Sequence, residues 1–105
     1  MRTPVIAVSL LLLSLACGPF QTYGQAMQII CDAPMECTEC NKADPAERVS
    51  MLAQYISERV YNREAIRVFS ALAMAGPEDK ARLLRSAAAE GGVTDCRFAE
   101  VFGAP

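Results

Sequence analysis

The chain contains no histidine. That absence removes the commonest general base and the commonest transition-metal ligand, and with them the histidine-dependent hydrolase triads and zincin-type sites. Nor is there a basic stripe. Ten Lys and Arg include Arg2, so nine stand against twelve Asp and Glu from Met27 onward. A mildly acidic surface has no electrostatic footprint for nucleic acid and gains nothing from an anionic membrane. No apolar run reaches the roughly twenty residues that a transmembrane helix needs. No segment alternates with the period of a strand, and there is no internal repeat or low-complexity tract. The expectation is a non-enzymatic chain with no cofactor and no dedicated metal site.

What is present begins at Met1. Arg2 precedes an apolar run of twelve residues, Val5 to Ala16, and small residues follow. This is the tripartite pattern of a secretory signal. It predicts a signal peptide over 1–16, with an alternative end at 26, where Gly24 and Ala26 supply the small residues. Residues 17–30, with Gly, Pro and Gln and no clear period, read as a tether that becomes ordered near Ile29 and Ile30. Residues 31–105 read as one small domain, whose core is marginal at this size and profits from cross-links.

Cys17 stands at the end of the apolar run. Leu13-Ser14-Leu15-Ala16-Cys17 resembles the lipobox of bacterial lipoproteins, with Ser14 where that family usually has Leu. The resemblance implies a lipidated Cys17 as the mature N-terminus and the sole membrane contact. Several acyl chains anchor a protein stably. Lipidation of Cys17, or its loss with the signal, leaves Cys31, Cys37, Cys40 and Cys96, an even number in a short exported chain, and that suits disulfides.

Helix punctuation recurs along the domain. Asp32 and Pro34 can open a short helical turn through Cys40. Asp44-Pro45-Ala46-Glu47 is a stronger start, with an N-cap acid, a first-turn proline and a Glu at the third helical position. Val49, Leu52, Ala53, Ile56 and Val60 then share a face, and the helix ends near Tyr61. Asn62 serves as a left-handed terminator or as the next cap. A second helix runs from about Arg63 to Ala75, with Ile66, Phe69, Leu72 and Ala73 inward. Pro77, Glu78 and Asp79 begin a third, whose Ala81, Leu84, Ala87 and Ala88 face the core until Gly91-Gly92 ends it. Thr94 or Asp95 caps a short last helix containing Cys96, Phe98, Ala99, Val101 and Phe102. The fold class is all-α: a small disulfide-stapled bundle of three main helices and one or two short ones.

The cysteines carry most of the available chemistry. Cys37-Thr38-Glu39-Cys40 is a CxxC, with Cys31 six residues before it and Cys96 far along the chain. Three connectivities are open: Cys31 to Cys96 with Cys37 to Cys40, then Cys40 to Cys96 with Cys31 to Cys37, then the third option, since sequence alone does not decide pairing. A long bridge from Cys96 would contribute about 4 kcal/mol through loop closure. A redox-active CxxC at Cys37 and Cys40 is the functional competitor, because cysteines near a helix start can have a lowered thiol pKa. Asp32, Glu36 and Glu39 oppose that shift, with only Lys42 against them. The CxxC followed by Asn41 and a helical bundle is similar to the periplasmic helical thiol reductases of cytochrome c maturation over Cys37 to Val60. It lacks their Leu-Arg before the first cysteine and their proline within the motif. A third reading is soft-metal binding: four thiolates could hold zinc, and Met27 and Met35 with the cysteines could suit Cu(I).

Two weaker features remain. Met51, Tyr55 and Tyr61 form a second apolar strip that reads as core or rim, and Arg59, Arg63 and Arg67 recur every four residues beside Glu58 and Glu64, a solvated charged face. The functional expectation is an exported structural or protein-interaction module, periplasmic, lipid-anchored or secreted, with an unidentified protein partner.

Overall fold

Thr22 and Gln25 start the fold. The Thr22 hydroxyl accepts from the Gln25 amide at 3.0 Å and the Gln25 side chain accepts from the Thr22 amide at 2.9 Å, the reciprocal capping box of S/T-x-x-E/Q. They open α1 (Tyr23–Glu36) of a computed structural model that describes residues 20–103. The expected signal sequence, Cys17 and the possible lipid anchor lie outside the described residues.

After α1 come α2 (Thr38–Lys42), α3 (Pro45–Arg59), α4 (Arg63–Met74), α5 (Pro77–Glu90) and α6 (Arg97–Gly103), with no strand among the described residues. The chain is an all-α bundle stapled by two disulfides, as its composition and periodicity predict.

The principal correction concerns the tether. Residues 23–30 are helical, and α1 is the hub, in contact with all five other helices. Ala26, Met27, Ile30, Cys31 and Ala33 are buried along it, at the three- and four-residue spacing of an inward face. Gln21 is fixed as firmly. Its side chain donates to the Arg59 carbonyl at 3.0 Å and accepts from the Tyr61 and Asn62 amides at 2.8 and 3.0 Å. Asp32 and Pro34 consequently do not open a helix. Pro34 lies in the last turn of α1, where its missing N–H weakens continuation. Asp32 accepts from Gln28 one turn earlier at 2.8 Å.

The later punctuation falls where expected. Asp44 precedes α3, although its side chain makes no cap hydrogen bond. Asn62 is a cap, its side chain accepting from the Ala65 amide at 3.1 Å with φ at −75° rather than in the left-handed region. Gly92, at φ 83°, closes α5 with hydrogen bonds from its own amide to Ala89 and from Val93 to Ala88, the two bonds of a Schellman motif. Gly24 lets α1 approach this turn: a Cβ there would lie 2.8 Å from the Gly91 carbonyl oxygen.

The phase of α4 also differs from expectation. Ala65 and Leu72 are buried, with Val68 and Phe69 packed against the core, while Ile66 and Ala73 face outward. Val49 of α3 is likewise exposed. Arg59 ends α3 and Arg63 begins α4, so the arginine row does not lie on one helix.

Candidate functional site

Cys31 lies midway along α1 and Cys96 just before α6. Their Cα atoms are 4.4 Å apart, and the bridge closes a separation of 65 residues. Both are buried within the same cluster as Leu84, Ala87 and Phe98. Because α1 touches every other helix, this bond joins the hub directly to the last element.

The second bridge, Cys37 to Cys40, spans three residues with Cα atoms 5.3 Å apart. Its geometry follows from the join between α1 and α2. The Cys37 amide donates to the Ala33 carbonyl at 2.9 Å, ending α1, and the Cys37 Sγ accepts from the Cys40 amide at 3.2 Å, capping α2. Cys37 and Cys40 are 8% and 1% exposed, so only Cys37 reaches toward solvent.

These pairs are the first of the three connectivities that the sequence left open. Oxidised sulfurs do not ligate metal as thiolates, so the soft-metal reading needs both bridges reduced. Met27 is fully buried in the core and Met35 is exposed. No group of three or more Cys, Asp or Glu arranged to hold a metal ion occurs among the described residues.

Among the concavities of the described residues, two bear on binding. A wide groove of about 730 Å³ runs between α1 and α3, with Gln28, Ile29 and Asp32 on one wall and Tyr55 and Arg59 on the other. The Arg59 guanidinium stacks over the Tyr55 ring at 3.7 Å and donates to the Tyr55 carbonyl at 3.0 Å, so this arginine is already committed. Met51 and Tyr55 pack against the core, as the rim reading expects, and Tyr61 is exposed. A second concavity, an apolar slot of about 140 Å³, opens between α3, α4 and α6 with Lys80 at its edge. Sequence reasoning missed Lys80, a cation in the first turn of α5, where the helix dipole disfavours it.

Among the described residues, the Tyr23 hydroxyl is perturbed. Burial pushes the Tyr23 hydroxyl above the usual tyrosine range, and the Glu90 and Glu64 carboxylates push it the same way. Its hydroxyl donates to the Ala87 carbonyl at 3.0 Å, a bond that requires the neutral form.

No protein family matches the chain, and no curated protein or solved structure gives a match.

Proposed function

We propose that the chain is an exported, disulfide-stapled helical binding module, acting through protein contacts in the cell envelope or secreted space. The observation that carries the reading is the pairing of all four cysteines in the described residues, one bridge closing 65 residues. Structural disulfides persist in oxidising compartments and are rare in the cytosol. The apolar run before Cys17 supplies a signal of matching meaning.

The fold bears on where that signal is removed. Cleavage after Ala26 would excise Gln21, Thr22, Tyr23 and the first turn of α1, with the cap and the anchoring hydrogen bonds. Cleavage before Cys17 leaves them intact. These contacts favour, in this reading, a mature chain that begins at Cys17, lipidated or free.

Non-reducing mass spectrometry of protein purified from its own compartment tests the reading. The expected result is a chain lacking residues 1–16 with two bridges that persist below about −300 mV in a glutathione titration. Four free thiols on an uncleaved chain would overturn it.

A second reading rests on the Cys37 to Cys40 bridge, which caps a five-residue helix and ties nothing distant. In this reading a partner dithiol donates two electrons. One partner thiolate attacks a bridge sulfur and forms a mixed disulfide, and the partner's second thiol resolves it. Cys37 and Cys40 are left as thiols and the partner as a disulfide. A potential between about −270 and −120 mV for this pair alone would favour it.

A further inference from the structure

We propose that the apolar slot between α3, α4 and α6 binds a small hydrophobic carboxylate, with Lys80 holding the carboxylate and the slot taking an aryl or short alkyl group. The proposal rests on the binding-module reading and names a ligand for it.

The slot exists because α3 is packed on one side only. Among the described elements it meets α1 and α2, and its Cα atoms stay more than 8 Å from those of α4, α5 and α6. Val49 and Ala53 of α3 therefore look across a gap at Phe69 and Leu72 of α4 and Phe102 of α6. These residues recur at helical spacing as an inward stripe would, yet Val49 remains 39% exposed. The helices carry more apolar surface than the fold covers. At about 140 Å³ the gap matches the apolar cavities of about 150 Å³ that accept a benzene-sized molecule.

Lys80 decides the ligand's charge. Among the described residues it is the one charged residue lining the slot, and its Nζ lies 6.0 Å from the Phe102 ring centre. Two of its three N–H groups donate to the Leu72 and Ala75 carbonyls, each at 2.8 Å, which holds the ammonium at the end of α4. The third is left for a ligand, and no carboxylate of the described residues pairs with this lysine. A charge-assisted hydrogen bond at the edge of an apolar gap is stronger than one in open water. An anionic head on a compact apolar body satisfies both features, whereas a cation would be repelled.

The test uses the intact, oxidised protein and two probes followed by fluorine NMR: 4-fluorophenylacetate and its neutral isostere 4-fluorophenylacetamide. The carboxylate is expected to bind about tenfold more tightly than the amide, the worth of one charge-assisted bond. Lys80→Gln should remove that preference. Ala53→Leu fills the slot and should abolish binding of both probes, and Ala73, whose exposed side chain lines the mouth of the slot, gives Ala73→Leu for the same purpose should the first variant fail to fold. Equal binding of acid and amide by the native protein, survival of binding in a folded filled-slot variant, or no saturable binding at millimolar concentration would each overturn the proposal. So would uptake of a peptide with a C-terminal Phe in place of the free acid. Any of these results leaves the mass-spectrometric test of the exported module untouched, and failure of that test leaves this titration readable.

Discussion

The two disulfides share a chemistry and differ in almost everything else. Cys31 to Cys96 closes 65 residues and joins the hub helix to the last one, whereas Cys37 to Cys40 closes three residues whose backbone is already held by hydrogen bonds to Ala33 and within α2. Loop-closure entropy grows with the logarithm of the enclosed length. The long bridge therefore constrains the unfolded chain far more strongly than the short one. The larger share of the covalent stabilisation resides in the long pair, and the short one is free to serve as a local clip or as an exchangeable bond.

The largest expected effect comes from removing the long bridge. Cys31→Ala with Cys96→Ala should cost about 4 kcal/mol by loop closure, a large share of the 5–15 kcal/mol typical of a native domain. Chemical denaturation of the double variant measures it. A loss below about 1 kcal/mol would show that packing of α1 against α6 suffices without the covalent link.

Removing the short bridge should cost about half as much. Cys37→Ser with Cys40→Ser gives about 2 kcal/mol on the same entropy scale, and the loss should be confined to the α1–α2 join. Hydrogen exchange resolves the location. Faster exchange limited to residues 34–43 supports the division of roles, while global loss of protection would place the short bridge in the main stability of the fold.

Much of this organisation was legible beforehand. Asp44-Pro45, Asn62, Gly76-Pro77 and Gly91-Gly92 bracket α3, α4 and α5 because capping and termination are local events that depend on few residues. The phase of α4 was not legible. Ala65, Ile66, Val68, Phe69, Leu72 and Ala73 cover so wide an arc that periodicity alone does not select the buried edge, and only the positions of α1 and α5 decide it. The opening helix was missed for another reason. Glycine and glutamine dominate residues 18–28 and hide Tyr23, Ala26, Met27 and Ile30. The Thr22-x-x-Gln25 box was the available signal. The Cys37–Cys40 motif was readable from spacing, but the slot at Lys80 was not, since it arises from the failure of α3 to meet α4.

That overlooked cap supplies a smaller test. Thr22→Ala removes the acceptor for the Gln25 amide and should cost about 1 kcal/mol, measured as a shift in the denaturation midpoint. Because α1 is the hub, the whole cooperative transition should move. A variant that frays only residues 20–25, with an unchanged midpoint, would return this end of the helix to the status of a tether.

The smallest effect lies on the alkaline side and concerns the hub's contact with α5. The folded-state pKa of Tyr23 is raised, chiefly by burial and then by Glu90 and Glu64, so the folded protein holds the hydroxyl proton more tightly than the unfolded chain does. Near neutral pH the group is protonated in both states and stability does not depend on it. As pH rises through the unfolded tyrosine value of about 10, the unfolded state releases its proton first, and linkage makes stability fall with pH. Ionisation also removes the donor to the Ala87 carbonyl. Tyr23→Phe loses that hydrogen bond at every pH and loses its own part of the alkaline slope. Denaturation midpoints between pH 8 and pH 11 should therefore fall more steeply for the native protein than for the variant. Parallel curves would leave the Tyr23 contact without a role in the pH response.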